Sequence, residues 1–194
     1  GFGSGSDSFY ETLLKRWLQS GGTKPHLLRQ FREASGSGLR QLLHRSHPSR
    51  RLFVGAWDAG SNGAMLPGSL QLRAQNSFEH LACFLPGLLA LGAAHSANAS
   101  EEAAAWDTAR ELLQTCVWLY ESQPTQLGPE HVLFATAEGV ALDELEASRR
   151  ATDGLPSLAP SIDDIVSADR SWRGRPELLE SLYLMWRLEP DVTR

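Results

Sequence analysis

The chain has 194 residues, of which 42% are hydrophobic and 21% charged, and this balance predicts one globular unit rather than a disordered or collagen-like chain. Its formal net charge of -5 and its pI near 5.7 argue against a nucleic-acid surface, which requires clustered Lys and Arg. No apolar run approaches the roughly 20 residues that span a bilayer, so we expect no membrane-spanning helix within these residues.

Amphipathic helices dominate the first part of the chain. Asp7 is predicted to cap a helix over DSFYETLLKRWLQS, whose apolar residues form one stripe before Gly21 and Gly22 end it. A second helix is predicted over PHLLRQFREAS, and it continues past a Gly-Ser interruption into LRQLLHRS. The best strand candidate is LFVGAW, because it is short, apolar and followed by a Gly-rich turn. The following stretch, DAGSNGAMLPGSLQL, indicates a hairpin or loop.

The helical pattern continues in the second half. One helix is predicted over SFEHLACFLPGLLALGAAH, kinked or broken at Pro86-Gly87, and another over EEAAAWDTARELLQTCVWLYESQ. Residues 128–173 are mixed and loop-rich, and a last helix is predicted from Pro176 to about Leu188. The chain should therefore be mainly helical, with antiparallel helix pairs and one small strand region.

The two cysteines, Cys83 and Cys116, lie on predicted helices among apolar neighbours. These residues alone leave two possibilities open, a pair of buried thiols or a disulfide in an oxidising compartment. An N-x-S sequon at Asn98 weakly favours the secretory route.

The sequence argues against several kinds of catalytic site. The six histidines show no H-E-x-x-H spacing, two distant cysteines cannot form a zinc knuckle, and no G-x-S-x-G or P-loop motif occurs. Ionisable residues do stand at predicted helix starts, namely Asp7, Glu79, His80, Arg175 and Glu177. Each can be explained as a cap or first-turn residue. Gathered at one end of a helical barrel, they would also suit sugar hydrolysis, which needs an acid and a base flanking the glycosidic bond.

Four separated blocks, in order, resemble the class I α-1,2-mannosidases, glycoside hydrolase family 47. The blocks are DSFYETLLKRWLQSGG, FEHLACFLPGLLALGA, ELLQTCVWLYESQ followed by LGPEH, and ADRSWRGRPELLESLYLMWRL. The resemblance covers almost the whole chain. It implies an all-α fold, a partial (α/α)7 barrel of paired antiparallel helices with a small β region. Residues 1–194 would then be a fragment of one catalytic domain whose N-terminal part and C-terminal end are missing.

The resemblance also implies roles for the residues at helix starts. Asp7 matches one of the three essential acidic residues of the family, and Glu177 matches another, the base that activates water. The positions that match the lining of the sugar site are Glu79, His80, Arg175 and Glu180, with Glu180 in the shell of waters bound to calcium. Cys83 and Cys116 match the family's disulfide pair.

Two family blocks are missing from this sequence. The proton-donor glutamate lies in an E-T-x-I-R-like block upstream, and the threonine that ligates calcium lies in an N-T-E-A-H-P-like block near the family's C-terminus. We therefore expect Ca²⁺ in the full-length protein but no direct metal ligand here. The implied activity is inverting removal of α-1,2-linked mannose from high-mannose N-glycans in the lumen of the endoplasmic reticulum or Golgi. Contact with a membrane would come only through an N-terminal anchor outside these residues.

Two other functions stay open at this point. One is a glycan-binding or quality-control relative of the same fold that has lost catalysis. The other is an all-α interaction scaffold in which Asp7 and Glu177 are plain caps, each worth only about 1 kcal/mol of stability.

Overall fold

The computed structural model describes residues 1–58, 73–137 and 164–188, and these residues are mainly helical, as predicted. The α-helices are α1 (Asp7–Gln19), α2 (Pro25–Leu42), α3 (Leu85–Ala93), α4 (Ala99–Glu121) and α5 (Glu177–Leu188), and a 3-10 helix covers His80–Phe84. The strands are β1 (Leu43–Arg45), β2 (Leu52–Val54), β3 (Ala56–Asp58), β4 (Arg73–Gln75), β5 (Ser77–Glu79), β6 (His131–Phe134) and β7 (Ile165–Asp169).

The helices pack in pairs around one hydrophobic core. Helix α1 packs on α2, and α3 contacts both α4 and α5. The apolar stripe of α1 buries Leu13 and Leu14, and α2 contributes Phe31 to the same core. At the start of α4, the exposed Asn98 acts as N-cap, because its Oδ1 accepts a hydrogen bond from the backbone N–H of Ser100 at 3.0 Å. None of the described helices is long and apolar enough to cross a membrane.

The strands form three small antiparallel sheets with the orders β1-β2, β3-β4 and β5-β6-β7. The predicted strand LFVGAW is present, but it divides at Gly55 into β2 and β3. A Cβ at Gly55 would collide with the carbonyl oxygen of Gln75, so this close approach requires glycine. Strand β3 pairs with β4, and the stretch between them that was predicted to be a hairpin or loop lies, from residue 59 to 72, outside the described residues.

Two predicted helix boundaries were wrong. The helix predicted from Ser77 begins only at Leu85, because Ser77–Glu79 pairs with β6 and His80–Phe84 is a 3-10 helix. Pro86 lies in the first turn of α3, where its missing N–H costs no hydrogen bond. The second helix ends at Leu42 rather than continuing through LLHRS, because Leu43–Arg45 pairs with β2. The loop-rich region predicted over 128–173 contains β6 and β7, and its part from 138 to 163 lies outside the described residues.

A disulfide joins Cys83 of the 3-10 helix to Cys116 of α4. This is the pairing that the family resemblance implies. Both cysteines are almost fully buried in the core, and 33 positions separate them in the chain. The bond ties α4 to the 3-10 helix that begins with His80, and it thereby helps to hold that end of the molecule.

Candidate active site

The site is formed where α1, the 3-10 helix and α5 begin. His80 Nδ1 lies 3.8 Å from Glu177 Oε2, and the negative charge of Asp7 acts on the same carboxyl group. Three of the helix starts that sequence analysis singled out thus lie close together. Asp7, however, is not the cap of its helix, since Ser6 occupies the N-cap position and Asp7 is the first helical residue. The backbone N–H of Asp7 bonds to the carbonyl of Gly3 at 3.1 Å, and this turn places the start of α1.

Glu177 is the first residue of α5, and its side chain is only 17% exposed. Burial raises its pKa above the usual range of a glutamate, the positive charge of Arg175 lowers it, and the charge of Asp7 raises it. Its Oε2 atom is buried and has no hydrogen-bond partner among the described residues. An unpaired buried carboxylate oxygen is costly, so this position is suited to a ligand or water rather than to packing.

His80 faces that oxygen from the start of the 3-10 helix. It is almost fully buried, and burial lowers its pKa below the usual histidine range, so the imidazole is neutral near pH 7. Its Nε2 atom lies 2.7 Å from the hydroxyl of Tyr120 on α4, whereas Nδ1, the atom near Glu177, has no hydrogen-bond partner among the described residues.

Arg175 forms an ion pair with Glu130, a residue that sequence analysis did not assign to the site. Its Nε donates to Glu130 Oε2 at 3.0 Å, and its Nη2 atom contacts Glu130 Oε1. This pairing holds the pKa of Glu130 below its usual range. Glu130 lies in the LGPEH segment, directly before β6, and no local signal in the sequence connects it with Arg175, 45 positions away.

Glu79 and Glu180, both predicted to line the sugar site, bind to parts of the chain at and before α1. Glu79 Oε2 accepts a hydrogen bond from the backbone N–H of Ser4 at 2.6 Å and thereby holds the segment that leads into α1. Glu180 Oε1 accepts a hydrogen bond from Lys15 Nζ at 2.7 Å, and Lys15 also bonds to Glu11. Their contact with a sugar stays a prediction.

Comparison with known proteins identifies the family. Residues 1–193 match the model of glycosyl hydrolase family 47. The chain belongs to this family. Over 189 residues this family 47 chain is 34% identical to the endoplasmic reticulum mannosyl-oligosaccharide 1,2-alpha-mannosidase of Homo sapiens, covering 97% of the chain and 22% of the relative. It is 33% identical over 207 residues to a mannosyl-oligosaccharide 1,2-alpha-mannosidase of Arabidopsis thaliana, covering 98% of the chain and 30% of the relative.

A solved structure supports the fold. The α-1,2-mannosidase from Trichoderma reesei superposes with a TM-score of 0.66 at 22% identity, over 96% of this chain and 34% of that one. The family 47 chain therefore spans only a fifth to a third of the length of the proteins it matches.

The described side chains of this family 47 chain do not form a complete metal site. Within residues 1–58, 73–137 and 164–188, no group of three or more His, Cys, Asp or Glu residues is placed to hold a metal ion. Membership of the family is consistent with a metal cofactor, but these residues do not form its site by themselves.

Proposed function

We propose that the chain is part of an α-1,2-mannosidase that removes mannose from high-mannose N-glycans by inverting hydrolysis. The observation that carries the proposal is Glu177, a largely buried carboxylate with one unpaired oxygen and with His80 and Arg175 beside it. A carboxylate that served only the helix dipole would be stabilised at the helix start while exposed to water, and it would not need to be buried as Glu177 is. The names of the human and Arabidopsis relatives support a mannosyl-oligosaccharide as the substrate class.

In the proposed reaction Glu177 is the general base. It takes a proton from a water molecule while the water oxygen bonds to the anomeric carbon, opposite the departing oxygen. The glycosidic C–O bond breaks, and the departing oxygen receives a proton from an acid that we expect outside these residues. Because burial disfavours the ionised form that a base requires, the nearby Arg175 cation contributes by stabilising the carboxylate. Asp7 is proposed as the second essential carboxylate.

The remaining predicted residues complete the proposal. Glu79, His80, Arg175 and Glu180 are proposed to line the sugar site. Calcium dependence is proposed for the full-length protein, with the direct ligand outside this chain, and the described residues are assigned no metal step. The full-length protein is proposed to lie in the lumen of the secretory pathway, in the endoplasmic reticulum or Golgi, and the name of the human relative supports the endoplasmic reticulum.

The experiment replaces Glu177 by Gln in the full-length protein and measures release of free mannose from a high-mannose N-glycan. We expect a loss of roughly 10²- to 10⁴-fold in kcat, because a general base contributes about that factor. Proton NMR early in the wild-type reaction should show β-mannose first, because inversion of an α-linkage gives the β-anomer.

Glu102→Gln is the matched control, because Glu102 is also a partly buried glutamate in the first turn of a helix. It should leave mannose release unchanged. Full turnover by the Glu177→Gln protein would contradict the role of Glu177, and α-mannose as the first product would contradict inversion. Binding of the glycan without release by the wild-type protein would instead establish the non-catalytic glycan-binding alternative.

A further inference from the structure

A line of polar contacts connects an exposed tryptophan with Glu177. Trp172, which is 53% exposed, lies beside the hydroxyl of Tyr120 at the end of α4. The same hydroxyl lies 2.7 Å from His80 Nε2, and the two rings meet edge to face with centroids 5.4 Å apart. The other ring nitrogen of His80, Nδ1, lies 3.8 Å from Glu177 Oε2. Four residues from three separate segments therefore lead from the surface to the proposed base.

The direction of each hydrogen bond follows from the chemistry of its groups. An indole N–H can only donate, so Trp172 is placed to donate a hydrogen bond to the oxygen of Tyr120 and not to accept one from it. The single hydrogen of the Tyr120 hydroxyl is then available to donate to His80 Nε2. A neutral imidazole that accepts at Nε2 carries its own hydrogen on Nδ1. The N–H of His80 thus points toward the carboxylate of Glu177.

We propose that Tyr120 and Trp172 are positioning residues that hold His80 in the tautomer with its proton on Nδ1, so that this N–H is presented to Glu177. The inference rests on the proposed role of Glu177 as the base. In the opposite tautomer the lone pair of Nδ1 would face a carboxylate oxygen, which would disfavour the ionised form. With the proton on Nδ1, His80 stabilises the carboxylate and leaves its second oxygen for water.

The distance between His80 Nδ1 and Glu177 Oε2 is longer than a hydrogen bond and can shorten when substrate binds. The 3.8 Å separation exceeds a normal N–H···O distance by roughly 1 Å. Catalytic hydrogen bonds are often long without substrate and shorten in the complex. The backbone also accommodates the tyrosine, because a Cβ at Gly128 would collide with the Tyr120 ring. Glycine at this position therefore leaves the ring room to reach His80.

The first test reads the tautomer directly. Full-length protein labelled with ¹⁵N in histidine is examined by NMR at neutral pH, and the His80 signals are assigned by their loss in His80→Asn. We expect Nε2 to resonate as an unprotonated nitrogen and Nδ1 as a protonated one. Tyr120→Phe should shift both signals toward the opposite tautomer, and Trp172→Phe should shift them less. A wild-type His80 protonated on Nε2, or signals unchanged in Tyr120→Phe, would overturn the proposal.

Tyr10→Phe is the control, because Tyr10 is a partly buried tyrosine on α1 that packs against Phe2. It should leave the His80 signals as they are in the wild type. This readout does not require mannosidase activity. A wild-type protein that releases no mannose would contradict the proposed function, while the tautomer would still decide the positioning of His80.

The second test separates positioning from folding. In the full-length protein, Tyr120→Phe should lower kcat about three- to tenfold with KM nearly unchanged, since one net hydrogen bond corresponds to about that factor. Trp172→Phe should lower kcat less, and Tyr10→Phe should not lower it. A structural role would instead reduce the yield of folded protein at constant kcat per folded molecule, and that result would exclude Tyr120 as a positioning residue for the reaction.

Discussion

At the start of α5, the buried environment of Glu177 lowers the stability of the folded protein when the carboxylate is ionised, although the proposed base must be ionised to act. Burial raises its pKa above 4.5, the value for an unperturbed glutamate, so the folded protein binds this proton more tightly than the unfolded chain does. Stability therefore decreases as the pH rises from about 4.5 through the folded-state pKa, and the decrease persists at neutral pH. A residue retained at such a cost is better explained by function than by capping.

This conflict gives a prediction for Glu177→Gln in the full-length protein. The neutral amide removes the cost of burying a charge, so we expect a higher thermal midpoint than wild type at pH 7 and a much smaller difference at pH 4 and below. If Glu177 were a plain first-turn residue, the substitution would remove its interaction with the helix dipole and destabilise by about 0.3–1 kcal/mol at pH 7. Thermal unfolding at both pH values distinguishes the two, with Glu102→Gln as the control.

Individual site residues were predictable from the sequence to different degrees. Glu177, after Arg175-Pro176, could be singled out as an ionisable residue at a helix start, whereas its role as base was implied only by the family resemblance. The structure places it near His80. Glu130 could not, because its place depends on an ion pair with Arg175, 45 positions away. The cap assigned to Asp7 was wrong by one residue, since helix boundaries depend on turn geometry that composition does not show.

Among the elements, the contact between α3 and α5 fixes where the site residues stand. Ser181, one turn after Glu177, is fully buried and accepts a hydrogen bond from the N–H of Gly87 at 2.9 Å. Its hydroxyl donates to the carbonyl of Cys83 at 2.5 Å, within the 3-10 helix that begins at His80. The buried Ser181 thus connects α5 both to α3 and to the 3-10 helix. Gly87 allows this because it has no side chain between the backbones of α3 and α5.

We expect Gly87→Ala to disturb this contact. The new Cβ would lie 2.8 Å from Ser181 Cα, and backbone cannot give way as a flexible side chain can. We expect a net loss of about 1–2 kcal/mol in the free energy of unfolding, because overpacking outweighs the better helix propensity of alanine. Urea unfolding measures the loss. In Gly36→Ala on α2 the Cβ would meet only the end of Arg40, at 3.4 Å, so this variant should be neutral or slightly stabilised. Equal stability of the two variants would show that α5 does not depend on this contact.

The long helices could be predicted from the sequence, whereas most of the short strands could not. Helices α1, α4 and α5 have enough turns to show their periodicity, and the observed α5 starts one residue from the predicted start. Most strands have three residues, which is too short for alternation to be visible. The sequence predicts helix over Ser77–Glu79, and this prediction is wrong because the partner strand, β6, lies roughly fifty residues further along the chain. Pairing over such distances overrides local preference.

At the scale of the whole molecule, α5 is apolar on two faces. One face buries Leu178, Ser181 and Met185 in the core. The other carries large apolar side chains at helical spacing that are exposed, namely Leu179, Leu182, Tyr183 and Trp186. Large apolar side chains on a second face of a helix normally pack against another element. Because the chain spans about a third of the solved family structure, we propose that a further part of the full-length protein covers this face.

We therefore expect the 194-residue chain, expressed alone, to self-associate through this face of α5. Leu179→Lys combined with Trp186→Lys should weaken the association more than tenfold, because burial of each side chain contributes on the order of 1.5–3 kcal/mol. Sedimentation velocity over a range of concentrations measures this. Phe9→Lys is the control, since Phe9 is equally exposed but lies on α1.

In the full-length protein the double substitution should instead destabilise folding, because the same side chains would then be covered. A monomeric chain at every concentration would show that the exposed face needs no cover, and the barrel-packing argument for α5 would fail.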